Sequence, residues 1–265
     1  MQPIVTLLTD FGLMDPFVAE MKGVILSVCP DANIIDISHL VEKFDVRKGA
    51  FLLAAANPYF PRGTVHVAVV DPGVGSERRA IVIETNKSLL VGPDNGLMIP
   101  AATIDGILHV YRLTNRSLMR NEISSTFHGR DVFAPAAAHL ACGTAPRECG
   151  AEIKDYVKPE FTQITLKGRT VTCEVFHIDS FGNVITNLSQ VELSKLNLKL
   201  GAKIPLAVGG RRVSARLVQT YSDLNRGEIG ILTGSHGFLE LACREGSAAK
   251  RIRVRRGSVV RVYGE

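Results

Sequence analysis

The sequence predicts an α/β N-terminal domain, a mostly parallel sheet flanked by helices, followed by a smaller all-β, barrel-like C-terminal domain. In the first half of the chain, short apolar runs alternate with helical patterns, which is typical of parallel sheets covered by helices. After about Pro159, short strand patterns follow one another, separated by glycine or polar turns. The predicted domains are therefore residues 1–158 and 159–265.

The elements of the first domain follow in strand and helix order. The segment IVTLLTD predicts a buried strand ending at Asp10, and FVAEMKGVILSVCP predicts a helix closed by Pro30, because proline does not continue a helix. NIIDIS and TVHVAVVDPG predict further strands, with a helix over VRKGAFLLAAANPYF between them. AIVIET and SLLVGPD predict a hairpin-like pair, and DVFAPAAAHLACG a small-residue helix ending at Gly143.

The second domain is predicted from five segments with strand patterns and little helical periodicity: TQITLKGRTVTCEVFHID, KIPLAVGGRRVSARLV, GEIGILTG, FLELACR and RIRVRRGSVVRVY. Short strands joined by tight turns are typical of a small barrel. Within the last segment, charged residues alternate with Ile252 and Val254, which predicts a strand with one solvated face over Lys250 to Arg256.

Composition narrows the function classes. The 265 residues are 46% hydrophobic and 22% charged, as in ordinary folded proteins. The N-terminus lacks a secretory signal pattern and no apolar run reaches the roughly 20 residues that span a membrane, so a cytoplasmic protein without membrane partners is expected. The net charge of +5 is compatible with nucleic acid, but the aromatic interleaving of single-strand binders is missing, so no nucleic-acid partner is expected.

The cysteines and known motifs exclude several chemistries. The five cysteines are odd in number and scattered without a CxxC pair, so they are expected to be reduced thiols that bind no zinc: Cys29, Cys142, Cys149, Cys173 and Cys243. GxGxxG, P-loop, HExxH and GxSxG motifs are absent, and no metal or cofactor is predicted. The neighbouring Arg130 and Asp131 are predicted to form a surface ion pair.

Three segments of the first domain contain clusters of polar residues. TDFGLMD contains Asp10 and Asp15, VVDPGVGSERR contains Asp71, and STFHGRD contains His128. Ligands of open α/β sheets bind beyond the carboxyl ends of the strands, so these clusters are candidate sites. Each also has a simpler interpretation: Asp10 as a helix cap or turn residue, Asp71 as a turn residue, and His128 as a structural histidine.

Two turns of the second domain carry similar polar groups. IDSFGNVITN places Asp179 and Asn183 around a Phe-Gly turn, and TGSHGFLE places Ser235 and His236 before a strand. Either turn alone is also compatible with a plain hairpin loop. Their joint occurrence favours a ligand site.

Together, the motifs TDFGLMD, VVDPGVGSERR, VGPDNGL, STFHGRDVFAPAAA, DSFGNVITN and GSHGFLELA resemble the S-adenosylmethionine hydroxide adenosyltransferase family. They run in the family's order from Thr9 to about Ala249. The family is similar in fold to the enzymes that halogenate S-adenosylmethionine. These have an α/β N-terminal domain, a barrel-like C-terminal domain and a trimeric assembly.

The resemblance implies hydrolysis of S-adenosylmethionine to adenosine and methionine, by water or hydroxide attack at C5′ of the ribose. It also implies a homotrimer, with sites between the N-terminal domain of one subunit and the C-terminal domain of its neighbour. Two alternatives remain: halide-dependent adenosyl transfer on the same scaffold, and a non-catalytic module that binds adenosine or S-adenosylmethionine.

The resemblance also assigns the catalytic residues. Asp71, Arg78 and His128 match the set associated with water activation, and Asp10 matches the aspartate that holds the ribose hydroxyls. In the halogenases the position of Asp71 resembles a tyrosine and that of His128 is not a histidine, so the hydrolase set is present here.

The remaining predicted contacts bind the rest of the substrate. Asp179 matches the acid at the methionine ammonium, Asn183 the amide at the adenine, and Ser235 the methionine carboxylate contact. His236 stands where an arginine often lies, and Ile185 occupies the place of an adenine-stacking tryptophan. The predicted substrate-binding set is completed by Asp15, Phe44 and Ala248.

Overall fold

The computed structural model describes residues 2–264, without the side chains of Thr162 and Val191. The chain divides into two compact units, the first ending at Pro159 and the second beginning at Glu160. Over the described residues, every helix is too short or too polar to cross a bilayer.

The first unit is a mixed sheet with helices, which confirms the predicted α/β fold. Its strands are β1 (Ile4–Thr9), β2 (Asn33–Ser38), β3 (Val65–Val69), β4 (Ala80–Thr85), β5 (Leu89–Pro93) and β6 (Ile107–Arg112). Its α-helices are α1 (Phe17–Val28), α2 (Val46–Ala56), α3 (Ile99–Asp105) and α4 (Ala134–Ala141). The sheet order is β2-β1-β3-β5-β4-β6, parallel from β2 to β5. Strand β4 is antiparallel to both β5 and β6, so the predicted hairpin-like pair is confirmed.

Helices cover both faces of this sheet because its central strands are apolar on both sides. Val5 and Leu7 of β1 belong to the core cluster that also contains residues of α1 and α4. Leu8 points the other way, towards Gly49 of α2, where an added Cβ would lie 3.5 Å from the leucine side chain. Continuous apolar runs of this kind are expected for parallel strands buried on both faces.

Two elements of the first unit were not predicted. Helix α3 has seven residues and lies between Gly96 and Gly106, too short for a helical repeat to stand out. Strand β6 follows directly and pairs along the outer edge of β4. The predicted small-residue helix is preceded by a π-helical turn over Gly129–Phe133.

A disulfide corrects the expectation that all five cysteines are reduced. Cys29 at the end of α1 and Cys142 at the end of α4 are bonded, with their Cα atoms 6.0 Å apart. They lie 113 residues apart in sequence, so their pairing follows from the packing of two helices and not from local spacing. The other three, Cys149, Cys173 and Cys243, are free and buried.

The second unit is a closed seven-stranded barrel, which confirms the predicted barrel-like domain. Its strands are β7 (Thr165–Lys167), β8 (Thr170–Ile178), β9 (Val184–Ser189), β10 (Lys203–Val208), β11 (Arg211–Leu217), β12 (Ile229–Thr233), β13 (Phe238–Cys243) and β14 (Val259–Tyr263). The order β14-β10-β11-β12-β13-β9-β8 closes through pairing of β14 with β8, and β7 is an additional short strand on β8. Two short helices complete it, α5 (Gln190–Ser194) and α6 (Ala248–Ile252).

The strand predicted over Lys250 to Arg256 is wrong, because α6 occupies its first half. Ser247 caps this helix by accepting a hydrogen bond from the Lys250 amide at 3.2 Å. Arg253 then turns the chain in the left-handed conformation, with φ of 59°. The alternation of charged and apolar residues therefore reflects a helix end, and Ile252 packs into the barrel core.

The buried His66 of β3 predicts a pH-dependent stability. Its Nδ1 lies 2.7 Å from Thr6 Oγ1, and burial lowers its pKa from 6.5 to about 4. Below pH 6.5 the unfolded chain takes up a proton that the folded chain does not. The free energy of unfolding should therefore fall by up to about 3 kcal/mol between pH 6.5 and 4 through this residue.

Urea denaturation of the wild type and of His66→Gln across this pH range measures how much His66 contributes to the pH dependence of the free energy of unfolding. The difference in the free energy of unfolding between the two proteins should change with pH, since the variant lacks the titrating ring. A difference that stays constant across the range would contradict the assignment.

Candidate active site

A cavity of about 450 Å³ lies in the first unit, beyond the carboxyl ends of β1 and β3. Asp10 directly follows β1, and Asp71 follows β3 by two residues. Loops that leave adjacent parallel strands converge there, which explains why residues distant in sequence share one wall. The lining residues are Asp10, Phe11, Lys43, Phe44, Val69, Asp71, Val74, Thr126, Phe127, His128 and Gly129.

Arg78 joins Asp71 to His128 at this cavity. Its Nε donates to both carboxylate oxygens of Asp71 at 3.0 Å, and its Nη2 donates to Oδ2 at 2.6 Å. The same Nη2 lies 2.7 Å from Nδ1 of His128. The side chains of Asp71 and Arg78 are 5% and 11% exposed, so water screens this ion pair little.

This geometry fixes the state of the His128 ring. A guanidinium has only donors, so Nδ1 accepts the hydrogen bond and the neutral ring carries its proton on Nε2. Burial, followed by the positive charge of Arg78, lowers the pKa of His128. At neutral pH the ring is therefore neutral, with Nε2–H as its remaining polar group.

Asp10 lies at the carboxyl end of the adjacent strand β1 and organises the segment that carries Phe44. The Asp10 side chain is buried, and its Oδ2 accepts a hydrogen bond from the Phe44 amide at 2.8 Å. Phe44 has a φ of 66°, a left-handed conformation that is uncommon for a phenylalanine, and the residue is 66% exposed. Asp10 does not cap α1, which begins at Phe17. Asp15 lies in the exposed turn before that helix, outside the cavity lining.

The turn after β3 packs tightly against the loop that carries His128. Gly75 has a φ of 77°, and a Cβ there would lie 2.5 Å from the carbonyl oxygen of Ser125. A side chain at this position would push the two loops apart. Glycine thus permits the close approach that brings Arg78 within reach of His128.

Arg130 and Asp131 form the predicted ion pair, but its expected surface location is wrong, because Asp131 is fully buried. It accepts hydrogen bonds from Arg130 Nε at 2.7 Å and from the Ser124 amide at 2.9 Å. Arg130 also lies over the Phe127 ring, with 5.0 Å from its Cζ to the centroid. We call residues 124–131 the His128 loop; the Asp131 carboxylate holds both ends of it together.

In the second unit, Asp179 organises the turn that also contains Asn183. Its Oδ1 accepts from the amides of Phe181 and Asn183 at 3.0 and 2.8 Å, and its Oδ2 accepts from Asn183 Nδ2 at 2.9 Å. A Cβ on Gly182 would collide with Ser247, and the Gly182 carbonyl accepts from the amide of Ala249. The segment containing Ala248 therefore packs against this turn.

The predicted residues are divided between the two units. The first unit brings together Asp10, Phe44, Asp71, Arg78 and His128, with Asp15 outside. In the second unit, Asp179, Asn183 and Ala248 belong to adjoining segments, Ser235 and His236 are exposed in the turn between β12 and β13, and Ile185 is buried on β9.

Sequence reasoning missed Tyr221 and Glu240. The Tyr221 hydroxyl donates to Glu240 Oε1 at 2.6 Å, and Glu240 is 5% exposed. A lone acid inside the apolar strand FLELAC is a signal that could have drawn attention to Glu240. Within residues 2–264, no three or more His, Cys, Asp or Glu side chains are arranged to hold a metal ion.

Comparisons with known proteins agree in family and fold. Residues 5–150 match the S-adenosylmethionine hydroxide adenosyltransferase N-terminal domain, and residues 173–261 match its C-terminal domain. A curated relative, (R)-S-adenosyl-L-methionine hydrolase of Salinispora tropica, is 40% identical, with the match covering 98% of this chain and 97% of that protein. A fluorinase of an Actinoplanes species is 27% identical, with 98% and 97% covered.

A solved structure of another protein has a fold similar to that of this chain. The crystal structure of an uncharacterized conserved protein from Thermotoga maritima has a TM-score of 0.88 and 36% sequence identity to this chain. The superposition covers 98% of this chain and 99% of the other. The likeness therefore includes both units.

The buried carboxylate of Asp131 predicts a large stability effect. Asp131→Ala leaves Arg130 and the Ser124 amide without this acceptor, which should reduce the free energy of unfolding by about 3–5 kcal/mol in urea denaturation. Asp155→Ala is the matched control, since Asp155 also binds an arginine but its side chain is 78% exposed. The control should lose less than about 1 kcal/mol. Equal losses would argue against the proposed anchoring of the His128 loop.

Proposed function

Because the chain belongs to the S-adenosylmethionine hydroxide adenosyltransferase family, we propose that it hydrolyses S-adenosyl-L-methionine to adenosine and L-methionine. Water or hydroxide attacks C5′ of the ribose. The observation that carries this proposal is the hydrogen-bonded chain of Asp71, Arg78 and His128, whose two ends, Asp71 and His128, line the cavity together with Asp10. This arrangement suits activation of an oxygen nucleophile next to a bound ribose.

The attacking oxygen needs help from the protein, whereas the leaving group does not. A C5′–O bond forms while the C5′–S bond breaks, and the electron pair of the breaking bond goes to the sulfonium sulfur. Methionine therefore leaves as a neutral thioether that no acid has to protonate. The protein's task is to position the nucleophile in line with the breaking bond and to stabilise it.

Arg78 and His128 act on the nucleophile as donors. Arginine cannot serve as a base at neutral pH, because its pKa exceeds about 12. His128 already accepts a hydrogen bond at Nδ1, so the ring offers Nε2–H to the attacking oxygen. Both groups favour hydroxide over water at this position, and the proton of the water passes to solvent. Asp71 orients Arg78 and balances its charge.

The cavity walls favour the same reaction. A hydroxide and a sulfonium ion neutralise each other in the transition state, so a dry environment disfavours the separated ions more than the merged state. Phe44, Val74 and Phe127 supply apolar lining. Asp10 is proposed to accept hydrogen bonds from both ribose hydroxyls, which would fix C5′ in front of the nucleophile.

The other substrate contacts and the assembly are part of the same proposal. Asp179 would bind the methionine ammonium, Asn183 the adenine, and Ser235 the methionine carboxylate. The substrate-binding set is completed by Asp15, His236 and Ala248. We propose a homotrimer with sites at subunit interfaces, and a cytoplasmic location. Support comes from the family membership and from the packing of the Asp179 turn against the segment that contains Ala248.

Product analysis tests the reaction. Purified protein incubated with S-adenosylmethionine should release adenosine and methionine in equal amounts, measured by chromatography and mass spectrometry, with and without added chloride or fluoride. Halide should not change the products. Formation of 5′-methylthioadenosine, or of a 5′-halogenated deoxyadenosine, would overturn the proposed hydrolysis.

The catalytic assignment predicts a specific kinetic change. His128→Ala and Asp71→Asn should each lower kcat by at least about tenfold, or 1.4 kcal/mol, with KM largely kept, because they alter the nucleophile and not the substrate contacts. His109→Ala is the matched control: this histidine also has a carboxylate partner, Glu152, but lies on β6 outside the cavity lining. Turnover that stays at the wild-type level in both site variants would remove the assignment.

A further inference from the structure

Glu240 is a buried acid on the outer face of the barrel. On β13 it pairs across the sheet with Leu232 of β12 and Ile185 of β9. Its neighbours Leu239 and Leu241 belong to the core cluster of the barrel, so Glu240 points to the opposite, outer face. It is nevertheless only 5% exposed. A carboxylate removed from water costs free energy unless other groups compensate it.

The compensation that the structure gives Glu240 differs from that of two other buried acids. Asp94 and Asp131 each bind an arginine, whereas Glu240 Oε1 accepts from the neutral hydroxyl of Tyr221 at 2.6 Å. Burial, and the negative charge of Asp179, raise the pKa of Glu240. The surroundings of this carboxylate thus favour an additional positive charge.

Glu240 lies against the backbone of the Ser235 turn and interacts electrostatically with Asp179, and the methionine end was assigned to these two turns. A Cβ on Gly234 would lie 2.6 Å from Glu240 Oε2, so this oxygen lies against the backbone that precedes Ser235. On β9, its cross-strand partner Ile185 follows Asn183 by two residues, and Asn183 is bonded to Asp179. Glu240 therefore lies between the Asp179 turn and the Ser235 turn.

We propose that Glu240, held in place by Tyr221, is a positioning residue for the amino-acid end of S-adenosylmethionine. It supports the backbone of the Ser235 turn and adds negative potential beside Asp179, so that the substrate's ammonium group supplies the missing positive charge. The inference rests on the proposed function, and it assigns Glu240 a role in binding and not in the chemical step.

Glu240→Gln is the direct test, because glutamine keeps the shape and can still accept the Tyr221 hydrogen bond through its amide oxygen. Isothermal titration calorimetry measures the Kd of S-adenosylmethionine and of adenosine, which lacks the amino-acid end; every protein compared carries His128→Ala, which slows hydrolysis of the ligand during the titration. The Kd of S-adenosylmethionine should rise by about tenfold, while that of adenosine changes by less than about twofold. In steady-state kinetics KM should rise with kcat nearly unchanged.

Two further variants complete the design. Glu84→Gln is the matched control, since Glu84 also accepts from a tyrosine, Tyr111, but lies on β4 in the first unit; it should leave both Kd values unchanged. Tyr221→Phe removes the support and keeps the charge, so it should weaken S-adenosylmethionine binding in the same direction but by only about threefold. It provides a second measurement if Glu240→Gln folds poorly in urea denaturation.

Two results would overturn the inference: an unchanged Kd of S-adenosylmethionine in both Glu240→Gln and Tyr221→Phe, or an equal loss of affinity for adenosine, which would indicate a merely structural role. The calorimetric comparison does not need turnover. A wild-type protein that binds S-adenosylmethionine without releasing adenosine would contradict the proposed hydrolysis, while the affinities would still decide the role of Glu240.

Discussion

The bridge that Arg78 forms between Asp71 and His128 is the interaction on which the candidate site depends. It connects the turn after β3 with the His128 loop, two segments that are 50 residues apart in sequence. Because a guanidinium is planar and only donates, it fixes the distance between the two loops and the protonation of the imidazole at once. The state of the histidine follows from the fold and not from the pH alone.

This bridge requires that both loops stay in place, and the surrounding packing provides for that. Gly75 lets one loop approach the other, and the buried Asp131 holds the His128 loop from within. A π-helical turn follows His128 directly, and irregular helical turns of this kind are frequent at functional sites. The rigid parallel strands carry this arrangement, since Asp10 and Asp71 both follow buried strands.

Much of the fold could be predicted from the sequence because its strands and longer helices contain clear apolar patterns and many of them end near prolines or glycines. Elements with a short or ambiguous repeat did not: α3 has only seven residues, and the charged and apolar alternation over Lys250 to Arg256 matched a strand as well as a helix end. The set of Asp71, Arg78 and His128 was predicted from motifs, and its mutual hydrogen bonds required the three-dimensional structure. Burial of Asp131 and pairing of Cys29 with Cys142 depend on contacts between distant segments, which no local pattern contains.

The closed barrel of the second unit has a consequence for association with other chains. Strand β8 pairs with β14, β9 and β7, so the sheet closes on itself, although β11 and β12 are joined by only two residue pairs. Edge-to-edge strand addition, the common route by which β-proteins oligomerise or aggregate, is thereby largely closed. The closed sheet therefore favours contacts with other molecules through turns and side chains over contacts through backbone strand pairing.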